Sequence, residues 1–184
     1  NTCTNSAVAT VSAIPVPVIT ASATNYTVCS GANTNLTAFG AWTYSWVPNI
    51  YLNNNLGASI ISSPNEKTTY TVHGYNGICT GATTIQVHTV KRPDMTLECP
   101  ENQICLGATL PITVRGAQNY SWAPMESILI LGSNSVVTVF PRANTNYTVF
   151  GTTSQGTITC YQQLSYSVMV VNPIVAKVSE SISI

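Results

Sequence analysis

Charge is what this sequence has least of. Six residues of 184 are Lys or Arg and six are Asp or Glu, so the net charge is zero. The charged share is 7%, where a soluble domain typically has about 25%. With no positive excess there is no counterion release to hold a nucleic acid, and no nucleic-acid partner is expected. No apolar run approaches the roughly 20 residues of a membrane-spanning helix, so no membrane insertion is expected. No signal peptide opens the chain at Asn1, which fits a mature or excised segment. There is no Cys-x-x-Cys, and His73 and His88 lie far from any cysteine pair, so no zinc site is expected. The carboxylate clusters that hold calcium are missing too. Gly-x-Ser-x-Gly, His-Glu-x-x-His and phosphate-loop motifs are absent. Glu98 and Glu101 stand close together, but they read as loop carboxylates flanking Cys99. No enzyme activity and no cofactor are therefore expected.

What the chain does have is the material of β-strands and turns. There are 26 Thr and 17 Asn, with many Val, Ile, Tyr and Ser. Thr, Val, Ile and Tyr suit a pleated, half-buried surface. Asn, Gly, Pro and Ser supply turns. A 45% hydrophobic share argues against disorder. Six cysteines, at 3, 29, 79, 99, 105 and 160, point to disulfides and an oxidising, extracellular compartment.

The sequence also repeats itself. Cys29-Ser-Gly-Ala followed by Gly40-Ala-Trp-Thr-Tyr44-Ser-Trp46-Val-Pro48 recurs 76 residues later as Cys105-Leu-Gly-Ala and Gly116-Ala-Gln-Asn-Tyr120-Ser-Trp122-Ala-Pro124. Pro64 and Thr68-Thr-Tyr70-Thr-Val-His-Gly74 match Pro141 and Thr145-Asn-Tyr147-Thr-Val-Phe-Gly151 at an offset of 77. Cys79 matches Cys160 at 81, which places a four-residue insertion in the loop before Cys160. Cys3 aligns with Cys79, Val11 with Val87 and Pro17 with Pro93, all at 76. The phase divides the chain into the last strand of a preceding unit (1–15), unit one (16–91), unit two (92–172) and the first strand of a following unit (173–184). It suggests a window on a longer array.

Six or seven short alternating runs per unit, with no sustained helical period, predict an all-β protein. The expected architecture is two tandem Ig-like antiparallel β-sandwiches with flanking strands of neighbouring units. The matched cysteines predict one intradomain disulfide in each, Cys29 with Cys79 and Cys105 with Cys160. Loops of about 50 residues would make each worth roughly 3–4 kcal/mol. Trp46 and Trp122 are expected in the cores beside these bridges, with Tyr70 and Tyr147 as core or corner residues. Cys3 and Cys99 have no assigned partner. By phase, Cys3 would pair upstream of Asn1. Cys99 aligns with Ala23, and it is left as a free thiol, a partner of Cys3 or a link to another chain. Lys91, Arg92 and Asp94 gather at a short junction stiffened by Pro93, which reads as a solvated elbow in an extended rod. Trp42 and Tyr51 are the candidate ligand-binding aromatics, because Gln118 takes the place of Trp42 in the second unit. Asn25, Asn35, Asn119 and Asn146 fit the N-glycan acceptor pattern.

The ordered motif of Cys-x-Gly, Gly-x-x-x-Tyr-x-Trp-x-Pro, Pro-x-x-x-Thr-x-Tyr-Thr-Val-x-Gly and a closing Cys resembles the tandem Ig-like or PKD-like repeats of Bacteroidota cell-surface proteins. These occur in gliding-motility adhesins of the SprB type and other type IX secretion cargo. The Trp-Asp-Phe-Gly-Asp-Gly signature of typical PKD domains is replaced here by Tyr-Ser-Trp-x-Pro, which favours the Ig-like label. The resemblance implies export to the bacterial cell surface and transfers no catalytic residue. The leading expectation is a stalk or filament of adhesin repeats whose partners are neighbouring repeats of the same chain or filament. The alternatives are a subunit that polymerises by strand exchange and an accessory module that binds surface polysaccharide.

Overall fold

The computed structural model describes residues 7–130 and 132–172. The chain divides between Thr89 and Val90 into two compact units, each with its own core. The first holds β1 (Thr20–Ala23), β2 (Thr27–Cys29), β3 (Thr34–Phe39), β4 (Thr43–Val47), β5 (Ser59–Ser62), β6 (Thr68–Tyr75) and β7 (Thr80–Val90). The second holds β8 (Thr96–Glu98), β9 (Gln103–Cys105), β10 (Leu110–Arg115), β11 (Asn119–Ala123), β12 (Ile128–Ile130), β13 (Val136–Val139), β14 (Thr145–Gln155) and β15 (Ile158–Val171). The described residues contain no helix.

Each unit is a two-layer sandwich. In the first, a sheet ordered β1-β3-β5 faces one ordered β2-β7-β6-β4. In the second, β8-β10-β13-β12 faces β9-β15-β14-β11. The opening strand is split between the layers, with β1 or β8 in one sheet and β2 or β9 in the other. This is the Ig-like arrangement expected from the sequence. The single bridge Leu52–Ser62 stands in the first unit where β12 pairs with β13 in the second.

Period-two alternation decides which side chains fill the gap between layers. Thr34, Leu36 and Ala38 of β3 are buried, while Asn35 and Phe39 are exposed. Tyr44 and Trp46 of β4, Tyr70 and Val72 of β6, and Ile85 and Val87 of β7 complete the first core. Ile112, Val114, Trp122, Tyr147, Val149 and Val168 do the same in the second. Fully burying such an apolar side chain stabilises by roughly 1.5–3 kcal/mol. Each tryptophan also has a partner for its one polar atom. Trp46 Nε1 donates to the Gly57 carbonyl at 3.0 Å, and Trp122 Nε1 to the Asn134 carbonyl at 2.9 Å. The proline that closes each Tyr-Ser-Trp-x-Pro run follows a cis peptide bond.

The Gly-Ala-x-x-Tyr part of the motif builds a corner. Gly40 has φ +104°, and a Cβ there would sit 2.0 Å from the Val18 carbonyl oxygen. Gly116, at φ +96°, would place one 1.9 Å from the Asp94 oxygen. Only glycine allows both the backbone conformation and the close approach. Next to it, Tyr44 Oη accepts from Ala41 N at 2.7 Å and donates to Ala41 O at 2.9 Å. Tyr120 Oη accepts from Ala117 N at 2.8 Å in the same way. Gly74 and Gly151 leave room on the opposite strand for Ile19 and Met95, whose side chains lie 2.4 and 2.3 Å from where a Cβ would be.

One expectation meets a different outcome. The insertion before Cys160 does not lie in a loop. It lengthens the β14–β15 hairpin, which pairs as far as Gln155–Ile158, whereas β6–β7 stops at Tyr75–Thr80. Each side gains three paired residues, and the connecting turn shortens from four residues to two. The segment expected as a neighbour's last strand lies partly outside the described residues, and its described part, residues 7–15, is not in a strand. Val11 is 92% exposed although its counterpart Val87 is fully buried. A strand of the β7 type is buried by flanking strands such as β2 and β6, and residues 7–15 have none beside them among the described residues. The segment 173–184 lies outside the described residues.

Gly40→Ala or Gly116→Ala is expected to destabilise its unit by about 2 kcal/mol or more through backbone strain and overlap, lowering Tm by roughly 8–16 °C for a domain of this size. Thermal unfolding followed by circular dichroism measures this; an unchanged Tm would remove the corner from the account.

Candidate functional site

The cysteines are the chemically reactive groups that recur in both units. Cys29 and Cys160 are disulfide-bonded. Cys79, Cys99 and Cys105 are free thiols, and Cys3 lies outside the described residues. The expected intradomain couples, Cys29 with Cys79 and Cys105 with Cys160, are therefore not formed.

Strand geometry gives the reason. His88 N donates to Tyr26 O at 2.8 Å, so β2 and Cys29 flank the far end of β7, while Cys79 precedes its first residue. About ten residues of strand, or roughly 30 Å, separate the two levels. In the second unit β9 pairs in parallel with the end of β15, with Cys105 opposite Val171. Cys160 sits near the start of β15, roughly 35 Å away along the strand. A disulfide needs Cα atoms within about 7 Å. The two repeat-matched cysteines of each unit thus mark its opposite ends.

The local settings repeat as closely as the sequence does. Ala32 N donates to Cys29 O at 2.8 Å, and Ala108 N to Cys105 O at 3.0 Å, closing the same turn over Gly31 and Gly107, both at positive φ. Cys79 Sγ lies 3.7 Å from Ile14 O, and Cys160 Sγ 3.6 Å from Val90 O, which is the repeat counterpart of Ile14. Cys99 has no such counterpart. It is half-buried, with Sγ 3.2 Å from Glu101 O and 3.8 Å from Pro111 O. Burial raises the pKa of the neighbouring Tyr166, and Cys99 adds to the rise.

The candidate ligand aromatics are not brought together. Trp42 precedes β4 and Tyr51 lies beyond its other end. The Trp42 ring is 79% exposed and lies over Gly77, where a Cβ would meet it at 2.6 Å. Tyr51 is half-buried at φ +60°, and its carbonyl accepts from Ser63 N at 2.7 Å. Gln118, in the place of Trp42, accepts from Ser154 N at 2.9 Å and braces the longer hairpin instead.

Other polar groups are spread out. Glu98 makes an exposed contact with Arg115 at 3.9 Å, a type of pair worth about 0–1 kcal/mol. Arg92, expected in a solvated elbow, lies 5.7 Å from the centroid of the Tyr161 ring and donates to the Tyr161 carbonyl at 3.2 Å. Among the described residues no three His, Cys, Asp or Glu side chains gather as a metal site, and no helix is long and apolar enough to cross a membrane. Open grooves mark the second unit. One, of about 620 Å³, runs along Gly116–Tyr120 and Ser133–Val136. Another, of about 760 Å³, lies beside Pro100–Cys105 and Val171. A third, of about 490 Å³, lies beside Leu97–Pro100, Pro111 and Thr113. None of the three pairs an acid with a base.

The buried tyrosines respond to pH. Tyr70 Oη lies 2.8 Å from Ser62 Oγ and 3.2 Å from Ile50 O. Tyr147 Oη lies 2.5 Å from Ser127 Oγ. Burial pushes both hydroxyls above the usual tyrosine pKa, against the pull of the Ser62 and Thr68 hydroxyls at Tyr70 and of the Ser127 and Thr145 hydroxyls at Tyr147.

No family model and no curated protein matches this sequence. Among solved structures, an I-band fragment of titin, I67–I69, aligns over 88% of this chain and 68% of its own at 13% identity and a TM-score of 0.40. Murine CEACAM1b aligns over 84% of this chain and all of its own, at 13% identity and 0.37. Domains 4 and 5 of the S-layer protein SbsC align over 85% of this chain and all of their own, at 16% and 0.34.

Two outcomes follow from these groups. Brief alkylation of the folded protein, read by peptide mass mapping, will label exposed Cys105 fastest and Cys79 and Cys99 more slowly. Cys29 and Cys160 will be labelled only after reduction; a linked Cys29–Cys79 peptide would contradict the structure. Because the Tyr70 and Tyr147 pKa values are higher folded than unfolded, the unfolded chain sheds those protons first. Stability is then full below about pH 10 and falls as pH rises through the folded pKa values. Tm measured from pH 8 to 12 should decline more gently for Tyr70→Phe, although that variant starts lower at neutral pH; an equal alkaline slope would refute the assignment.

Proposed function

We propose that the chain is a pair of structural repeats from a secreted bacterial surface protein, where tandem Ig-like sandwiches space or carry an adhesive part away from the cell. One observation carries this reading. The residues that define the repeat are consumed in building the sandwich. Gly40 and Gly116 shape the corner, Tyr44 and Tyr120 clamp it, Trp46 and Trp122 fill the core, and Tyr70 and Tyr147 tie the loops. A binding or catalytic module repeats the residues that meet its ligand; here the repeated residues meet each other. Disulfide-bonded cysteines support an oxidising, extracellular compartment. Low charge and a Thr- and Asn-rich exterior suit a chain whose task is passive.

The finer assignment, to a gliding-motility adhesin or other type IX cargo of Bacteroidota, belongs to the same proposal and is supported by the ordered motif. The polysaccharide-module alternative draws nothing from the geometry, because Trp42 and Tyr51 stand at opposite ends of β4. Electron microscopy of the natural protein tests the reading. Thin fibres beaded at one bead per repeat are expected; compact globules would reject it.

A further inference from the structure

We propose that Cys105 and Cys79 are complementary linking thiols, through which one copy of this repeat bonds covalently to another. The inference rests on the structural-repeat reading above. It starts from four cysteines at two repeat positions. Cys29 and Cys105 share one position, at the end of the short second strand. Cys79 and Cys160 share the other, at the start of the last strand. At each position one member is disulfide-bonded and the other is a thiol. The free members share the backbone setting of the bonded ones and are more exposed than they are. Cys105 sits in the same Cys-x-Gly-Ala turn as Cys29, and Cys79 lies against the Ile14 carbonyl as Cys160 lies against that of Val90. Both positions are therefore built to hold a disulfide. Strand length keeps the two repeat positions of one sandwich roughly 30 Å apart, so among the described residues neither thiol reaches the other repeat position of its own sandwich. Its partner must come from another copy, and the position that Cys105 lacks is the one Cys79 supplies. Cys99, half-buried and without a repeat counterpart, has no part in the linkage.

The chemistry needs a disulfide as oxidant, such as oxidised glutathione. The Cys105 thiolate attacks one glutathione sulfur and releases one glutathione thiol. The Cys79 thiolate of a second molecule then attacks the Cys105 sulfur of the mixed disulfide and releases the other. Two protein thiols become one disulfide, and two glutathione thiols leave.

The test uses the 184-residue protein carrying C3S and C99S, treated with oxidised glutathione and read by non-reducing electrophoresis and peptide mapping. A ladder of multimers joined by a Cys79–Cys105 peptide is expected. C79S and C105S should each stay monomeric alone and give a single dimer when mixed. Unchanged Tm for both variants shows that they fold. Persistent monomers in the parent, or dimers of C79S joined Cys105 to Cys105, would overturn the proposal. Beaded fibres that lack this linkage would sink the linkage alone, whereas a Cys79–Cys105 ladder from a protein that images as globules would sink the fibre reading alone.

Discussion

The close approach of backbone to backbone at Gly40 and Gly116 is the constraint from which the rest of each sandwich follows. The carbonyl of Val18 or Asp94 occupies the space of a missing side chain. The opening strand is thereby held against the turn that leads into β4 or β11, and the hydroxyl of Tyr44 or Tyr120 closes that turn. Once the corner is set, alternation aims Trp46 and Trp122 into the cores, where Nε1 finds a carbonyl on the facing sheet's approach. A buried Trp or Tyr without such a partner would cost stability. Here the polar atoms of all six repeat-matched aromatics are satisfied, so large rings fill a small core without a polar penalty.

The second organising fact is that the cysteines serve the ends of a unit and not its middle. In the first unit Cys79 is a thiol, so no bridge between the two repeat positions of that sandwich limits its unfolded chain. Its stability rests on the core and corner. Such a domain is small for its surface, which explains why almost every repeated residue is committed to packing or to satisfying a buried polar group. It also explains why so little chemistry is left over for a ligand.

Much of this architecture was legible in the sequence. Val, Ile, Thr and Tyr in alternating runs located β3 to β7 and their counterparts, and the 76-residue offset gave two copies of one sandwich. The fates of Trp46, Trp122, Tyr70 and Tyr147 could be read from their fixed places in the repeat. The short strands β1, β2, β8, β9 and β12 were harder to see, since three or four residues of ordinary composition carry no period. The disulfide couples were misjudged for a definite reason. Matching positions in a repeat identify cysteines that are equivalent, but they do not say which are adjacent, and an eleven-residue strand such as β7 keeps Cys29 and Cys79 at opposite ends. The insertion before Cys160 misled similarly, because four extra residues in a hairpin extend a ladder as readily as they enlarge a loop.

The central claim is that one sandwich, framed by a glycine corner and a tyrosine clamp, has been made twice. Amide hydrogen exchange resolved by residue tests it most directly. The account predicts slow exchange at repeat-equivalent amides in both units, including Ala41 and Ala117, whose N–H groups donate to tyrosine hydroxyls, beside Trp46 and Trp122 in the paired strands. Fast, turn-like exchange at Ala41 and Ala117, or protection confined to one unit, would contradict it.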